Sequence, residues 1–450
     1  MRTPIADVVR GYEREGTCRF HMPGHKGTGP IGCEPWDITE IQGADSLYEA
    51  SGPIAESERN AARLFGSGAT FYSTEGSSQC IRAMLFLALQ NRPAGTPPVI
   101  VAARNVHKSY VYAAALLDFE TVWLWPESAQ TQSLCACPVT AKTLDETLST
   151  METPPAAVYV TSPDYLGNMQ DIASLAAVCH AHKTLLLVDN AHGAYLRFLR
   201  PSLHPMDQGA DACCDSAHKT LPVLTGGAYL HISKIAPPLL REQAKHALAL
   251  FGSTSPSYLI LTSLDLCNAR LAEDYPARLA ETIQRLNALK KSLTARGWTL
   301  TGQEPLKLTI DAAAWGWDGQ ELAELLRTGS VEPEYADRDY CVLMVSPENT
   351  PEDLQWAADS LDCAIQKPPI PHPALPIAKG ERILSIREAI FSPNRATVHR
   401  TESLNKICGA PTVSCPPAVP IAISGERIGP EAAALFRYYG ADRVEILQSE

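Results

Sequence analysis

"AAVYVTSPDYLGNMQDIASLAAVCHAHKTLLLVDN", residues 156–190, decides the fold. A short apolar run rich in valine is followed by a helical pattern, then by a second apolar run that ends in Asp189. Apolar runs without polar alternation suit strands covered on both faces, as in a parallel sheet. The same rhythm extends outward through "PVIVA" (98–102), "SYVYAAALLDF" (109–119), "TVWLW" (121–125), "ACCDSAHKT" (212–220) and "GGAYLHI" (226–232). Strand, helix, strand in this order indicates an α/β chain with a mainly parallel sheet under helices. Side chains that meet a ligand in such a sheet sit just past the carboxyl ends of strands. That rule selects Asp189, the run Ser162 to Tyr165, and His218 with Lys219.

Lys219 stands out within "DSAHKTLPVLTGGAYLH" (215–231), where small and apolar residues replace the charged neighbours expected around a surface lysine. A lysine amine, an acid at a neighbouring strand end and a phosphate cradle are the parts an aldehyde cofactor needs. Asp189 is the candidate acid. "STEGSSQCIRAML" (73–85) offers Ser77 and Ser78 at the start of a predicted helix, where free N–H groups and the helix dipole favour an anion. His107, after "VIVAARN", could stack on a pyridine ring, and His192 follows Asp189 by three residues.

The bulk composition narrows the field. At 450 residues, 45% hydrophobic and 20% charged, the chain reads as an ordinary globular protein with room for several domains. A formal net charge of -12 and the lack of any basic run argue against a nucleic-acid partner. No segment approaches the roughly 18 apolar residues of a membrane span, and the N-terminus has no secretory apolar region, so a cytoplasmic location is expected. The 13 cysteines are read as reduced thiols. "CAC" (135–137) and "CC" (213–214) lack a second pair at zinc-site spacing, and no metal site is expected. Pattern and composition divide the chain into an N-terminal segment (1–70), a large α/β domain (71–250), a helical and α+β lobe (251–365) and a C-terminal unit (366–450) that opens on the proline-rich "QKPPIPHPALP".

"FHMPGHKG" (20–27), "ITEIQGADSLYEASGPIAESERNAARLFG" (38–66), "RNVHKSY", "TSPDYLG", "DNAHGAY", "DSAHKTLP" and "STSPSYLILTSLD" (253–265) together resemble the bacterial ornithine/lysine/arginine decarboxylases. The resemblance runs to "PPAVPIAISGERI" (416–428) and is greatest to compact members without the wing domain. It implies the aspartate-aminotransferase-like fold type I, pyridoxal 5'-phosphate as cofactor, and decarboxylation of lysine, arginine or ornithine. It also implies that the segment 1–70 contributes to the active site and dimer and that the domain 71–250 binds the cofactor. By the same resemblance Lys219 would be the Schiff-base lysine, Asp189 the partner of the pyridinium nitrogen, and His107 the residue stacked on the ring. Ser77, Ser78, Ser216 and His218 would surround the phosphate, with Ala191 and His192 beside the ring. Thr254 and Ser255 would approach the phosphate from the neighbouring subunit of a homodimer whose active site lies at the interface.

One motif departs from the family pattern: "STEGSSQCIRAM" has Glu75 and Ile81 where asparagines are usual and Cys80 where a small residue is usual. A cationic substrate tail calls for carboxylates, and Glu75, Asp164 or Glu426 are the candidates. Either Lys219 or a nearby histidine could return the proton to Cα. An aminotransferase or aldolase-type lyase on the same fold, and a non-catalytic cofactor-binding protein, are the competing readings.

Overall fold

The computed structural model describes residues 1–126, 130, 131, 133–411 and 417–448. In chain order the first strands are β1 (Ala69–Ser73), β2 (Val99–Ala103), β3 (Glu120–Leu124), β4 (Gln130–Thr131), β5 (Ala157–Thr161), β6 (Leu185–Asp189), β7 (Ala212–Asp215) and β8 (Ala228–Ile232). The first helices are α1 (Pro4–Glu15), α2 (Pro53–Phe65), α3 (Gly76–Asn91) and α4 (Lys108–Leu117). The chain forms two compact units. One comprises Met1–Thr96, Met151–Ser162 and Ile172–Leu279; the other comprises Pro97–Thr150, Pro163–Asp171 and Ala280–Glu450.

In the first unit the strands lie in the order β1-β8-β7-β6-β5. The β5–β6 and β6–β7 pairs are parallel, and their register sets Thr161, Asp189 and Cys214 in one row at the carboxyl ends. Every residue of β6, β7 and β8 is buried, the pattern of strands covered on both faces. β8 alone runs against its neighbours, antiparallel to both β1 and β7. The connection from β7 to β8 carries only the four-residue helix Ala217–Thr220, not the full crossover helix of a parallel return. Gly226, at φ +99° with a Cβ position 2.9 Å from the Thr74 carbonyl oxygen, makes that connection possible.

Two buried aspartates organise this unit. Asp265, on the helix Tyr258–Ala272, accepts the Ile5 and Ala6 N–H groups at 2.9 and 3.0 Å and the Ser57 hydroxyl at 2.5 Å. It satisfies the start of α1, whose own Thr3 makes no side-chain cap. Asp215, at the end of β7, accepts from Asn190 at 2.7 Å, His204 Nε2 at 3.0 Å and His231 Nε2 at 3.1 Å. Burial alone would raise its pKa, but the two histidines outweigh burial and hold the carboxyl below its ordinary range. His204, Asp215 and His231 form a cluster of metal-ligating types, and their separations are those of hydrogen bonds.

In the second unit β2 pairs in parallel with β3. Beyond residue 300 the strands Lys307–Asp311 and Tyr340–Met344 pair antiparallel, with Lys307 opposite Met344. They close on a core that includes Leu286, Leu293, Trp298, Leu308, Leu322 and Leu361. The proline-rich connector is anchored: Leu375–Pro376 pairs with β4, and His372 Nε2 lies 2.9 Å from Asp311. At the end of β2 the buried Arg104 donates to the Pro420 and Ile421 carbonyls at 2.9 and 3.1 Å. Every cysteine among the described residues is a free thiol. Among those residues no helix is long and apolar enough to cross a membrane.

Asp215→Ala strands two buried imidazole N–H groups and should cost at least about 3 kcal/mol in chemical denaturation. Because the folded-state pKa is depressed, the contribution is present above the unfolded value near 3.9 and is lost as pH falls through the folded value. The stability gap between wild type and variant should therefore be flat from about pH 5 to 8 and shrink below about pH 4.

Candidate active site

The row of strand ends in the first unit holds residues expected to carry chemistry. Asp189, 3% exposed, ends β6. Tyr159 donates its hydroxyl to Oδ2 at 3.1 Å, the Ala191 N–H donates to Oδ1 at 3.2 Å, and Cys214 Sγ lies 3.7 Å from Oδ1. Burial pushes the carboxyl above its usual range, and the charge of Lys219 is the largest influence opposing burial. Lys219 sits in the four-residue helix Ala217–Thr220, directly after β7. Its Nζ lies 2.9 Å from Nε2 of His192, itself 4% exposed in the loop after β6. Lys219, Asp189, His192 and Ala191 are thus brought together, as the strand-end rule requires.

The same unit holds the cradle residues. Ser77 and Ser78 occupy the first turn of α3, and Ser216 donates its hydroxyl to Ser77 Oγ at 2.8 Å. Glu75 is the N-cap of α3 but makes no side-chain cap, and the first turn contains no acidic residue. Its N–H groups are therefore not closed off by the N-cap side chain. Gly76 takes φ +71° with open space around its Cβ position, so the left-handed conformation alone calls for glycine there. His218 is fixed by its Nδ1, 2.9 Å from the Gly227 carbonyl, and burial lowers its pKa. Thr254 and Ser255 are exposed on the loop that precedes the helix Tyr258–Ala272. Glu75 reaches that loop and accepts the Ser253 N–H on Oε1 at 2.5 Å.

Three expected site residues belong to the second unit. His107 is the N-cap of α4, its Nδ1 accepting the Ser109 N–H at 3.1 Å. Asp164, 5% exposed, accepts from the Leu166 and Asn168 N–H groups at 2.9 Å and from the Asn168 side chain at 2.8 Å. Glu426, 6% exposed, accepts the Ile423 N–H at 2.9 Å and lies 3.8 Å from Arg104 Nη2. Burial raises the pKa of both carboxyls. Each holds its own segment in place.

Tyr159 and Cys214 were not among the residues singled out from the sequence. Their signal is positional: Tyr159 lies on β5 and Cys214 on β7, the two strands that flank β6. Only the register between strands reveals which side chains stand at the height of Asp189.

A family model described as the Orn/Lys/Arg decarboxylase major domain matches residues 3–321. The arginine decarboxylase of Bacillus subtilis (strain 168) is 26% identical over 464 residues, covering 95% of this chain and 92% of that protein. YaaO of the same organism, an uncharacterized protein, is 28% identical over 462 residues, covering 96% and 93%. Among solved structures, the Francisella novicida lysine decarboxylase LdcF superposes with a TM-score of 0.80 at 16% identity, covering 99% of this chain and 81% of that one. The Escherichia coli constitutive lysine decarboxylase gives 0.77 at 18% identity, covering 99% and 82%. These likenesses bear out the aspartate-aminotransferase-like fold type I, with its mainly parallel sheet. Matched by that model over well more than half its length, the chain belongs to the Orn/Lys/Arg decarboxylase family.

Proposed function

We propose that the protein decarboxylates a basic amino acid, arginine first, using pyridoxal 5'-phosphate attached at Lys219. The observation that carries this reading is the placement of Lys219 Nζ 2.9 Å from His192, beside the buried strand-end carboxylate Asp189. Arginine ranks first because relatives named arginine decarboxylase align over nearly the whole chain.

The residues present fit the cofactor. The Ser77 and Ser216 hydroxyls meet at a helix start that its N-cap side chain leaves open, with Ser78 next in the same turn, which suits a phosphate. When bound, pyridoxal 5'-phosphate supplies an electron sink for the pair left behind by departing carbon dioxide. His192 Nε2 would hold or take a proton at Lys219 Nζ, keeping the amine able to act as a nucleophile. Asp189, held by Tyr159, Ala191 and Cys214, would keep a proton on the ring nitrogen, since a nearby carboxylate favours the protonated form. His107, positioned as a helix N-cap, is proposed to bear on the ring plane. Lys219 or His192 would return the proton to Cα.

Asp164 and Glu426 are buried and each already holds a backbone N–H of its own unit, which argues against them as partner of the cationic tail, while Glu75 accepts the Ser253 N–H. Thr254 and Ser255 are proposed to reach the phosphate of a second subunit in a homodimer. Phe20 and Ile31, 93% and 80% exposed, support a covered N-terminal surface in that assembly. We place this function in the cytoplasm, consistent with the free thiols.

Incubation with arginine, lysine and ornithine separately, with amine and carbon dioxide measured, should show the fastest release from arginine. Release from none of the three would overturn the proposal. Borohydride reduction of the cofactor-loaded protein followed by peptide mapping should place the adduct in "DSAHKTLP"; an adduct on another lysine moves the site. Asp189→Asn should keep the fold and part of the bound cofactor while turnover drops at least about a hundredfold, a typical loss for one preorganised charge. Near-normal turnover in that variant would assign the ring nitrogen's proton to another group.

A further inference from the structure

The loop Gly252–Ser257, which carries Thr254 and Ser255, is bonded to the start of α3 by Glu75 and lies at Gly252 in close approach to Gln79, one helical turn on. Glu75 Oε1 accepts the Ser253 N–H at 2.5 Å. Gln79, 1% exposed, donates its amide to the Leu248 carbonyl at 2.8 Å and to the Tyr48 hydroxyl at 3.0 Å. The orientation of Gln79 is set from behind, by the Ser73 hydroxyl donating to its Oε1 at 2.5 Å. A Cβ on Gly252 would stand 1.9 Å from the Tyr48 hydroxyl oxygen and 2.1 Å from Gln79 Nε2. Glycine at 252 is thus required by close approach, whatever its backbone angles. Three segments distant in sequence, around Tyr48, Ser73 to Gln79, and Leu248 to Ser253, converge on one knot within the first unit.

Glutamate is a poor N-cap, and Glu75 does not act as one. Its carboxylate is turned instead to a backbone N–H of the loop, a charge-assisted bond of the stronger kind. We infer that Glu75 and Gln79 are positioning residues: they fix the Gly252–Ser255 loop against the first turn of α3, and Glu75 governs cofactor retention through that loop rather than recognition of the substrate's tail. The inference rests on the reading that α3 receives the cofactor's phosphate. It also accounts for the departure of this motif from the asparagine usual in the family, since the longer carboxylate reaches the Ser253 amide.

Three variants separate position from charge. Glu75→Gln keeps an oxygen acceptor for Ser253 and loses the charge; Glu75→Ala loses both; Gly252→Ala leaves Glu75 intact and displaces the loop from Tyr48 and Gln79. Hydrogen exchange of the peptide spanning 250–257, followed on protein without added cofactor, should quicken by about tenfold or more in Glu75→Ala and Gly252→Ala, and little in Glu75→Gln. The dissociation constant for pyridoxal 5'-phosphate should rise in the same order, while KM for arginine in the loaded enzymes stays within about twofold of wild type. Unchanged exchange in Glu75→Ala, or a KM raised equally in Glu75→Gln and Glu75→Ala, overturns the inference. Quickened exchange with unaltered cofactor affinity overturns the link to retention. If the wild type itself binds no pyridoxal 5'-phosphate, the proposed function fails, and exchange alone decides whether the loop is held by Glu75.

Discussion

A carboxylate at the inner end of a parallel strand, taken almost wholly out of water, is tolerable only if donors and a cation are built around it. Asp189 is in that position, and much of the first unit answers its demand. The Tyr159 hydroxyl comes from β5, the Cys214 thiol from β7, the Ala191 N–H from the turn after β6, and the positive charge from Lys219. Those partners can meet Asp189 because the parallel register sets Thr161, Asp189 and Cys214 in one row. A shift of one residue in either pairing would send its contributor to the opposite face.

The strand-end positions of Asp189 and Lys219 are legible in the sequence because two signals coincide at each: the end of an apolar run and a residue type that an aldehyde cofactor would need there. The helices Tyr258–Ala272 and Tyr275–Ala295 and the strands Lys307–Asp311 and Tyr340–Met344 follow from periodicity in the same way. Properties that depend on pairing are hidden. Nothing in "GGAYLHI" announces that β8 runs against its neighbours; only the strand pairing does. Nor does an isolated glutamate announce burial: Glu426 lies in a glycine-containing stretch typical of a solvated loop, yet it is 6% exposed beside Arg104. The sequence also places Asp164 beside the strand-end crevice, and its side chain turns inward to close the tight turn through Asn168. Linear composition suggests breaks near 70, 250 and 365, whereas each compact unit draws on three separate stretches of chain.

The two strand-end carboxylates of the first unit, Asp215 and Asp189, differ in what is left to them. Asp215 is saturated by two histidines and an asparagine, fully buried, with its pKa depressed. Asp189 is buried as well, but its pKa is raised, and a lysine one strand away is its main counterweight. The first arrangement is at rest; the second is poised for a further positive group. Two aspartates at the ends of adjacent strands, β6 and β7, thus serve opposite ends, and their hydrogen-bond partners decide which is which.

The long reach of the buried bonds bears on how the chain is made. The α1 amides that Asp265 accepts lie 260 residues before it, and Arg104 at the end of β2 donates to a carbonyl 316 residues further on. Neither unit can satisfy its earliest buried groups when those residues leave the ribosome. At ordinary synthesis speeds the wait is on the order of tens of seconds. Throughout that interval the apolar strands made first exist without the segments that seal them, in the first unit until Leu279 and in the second until the stretch around Pro420 has been made.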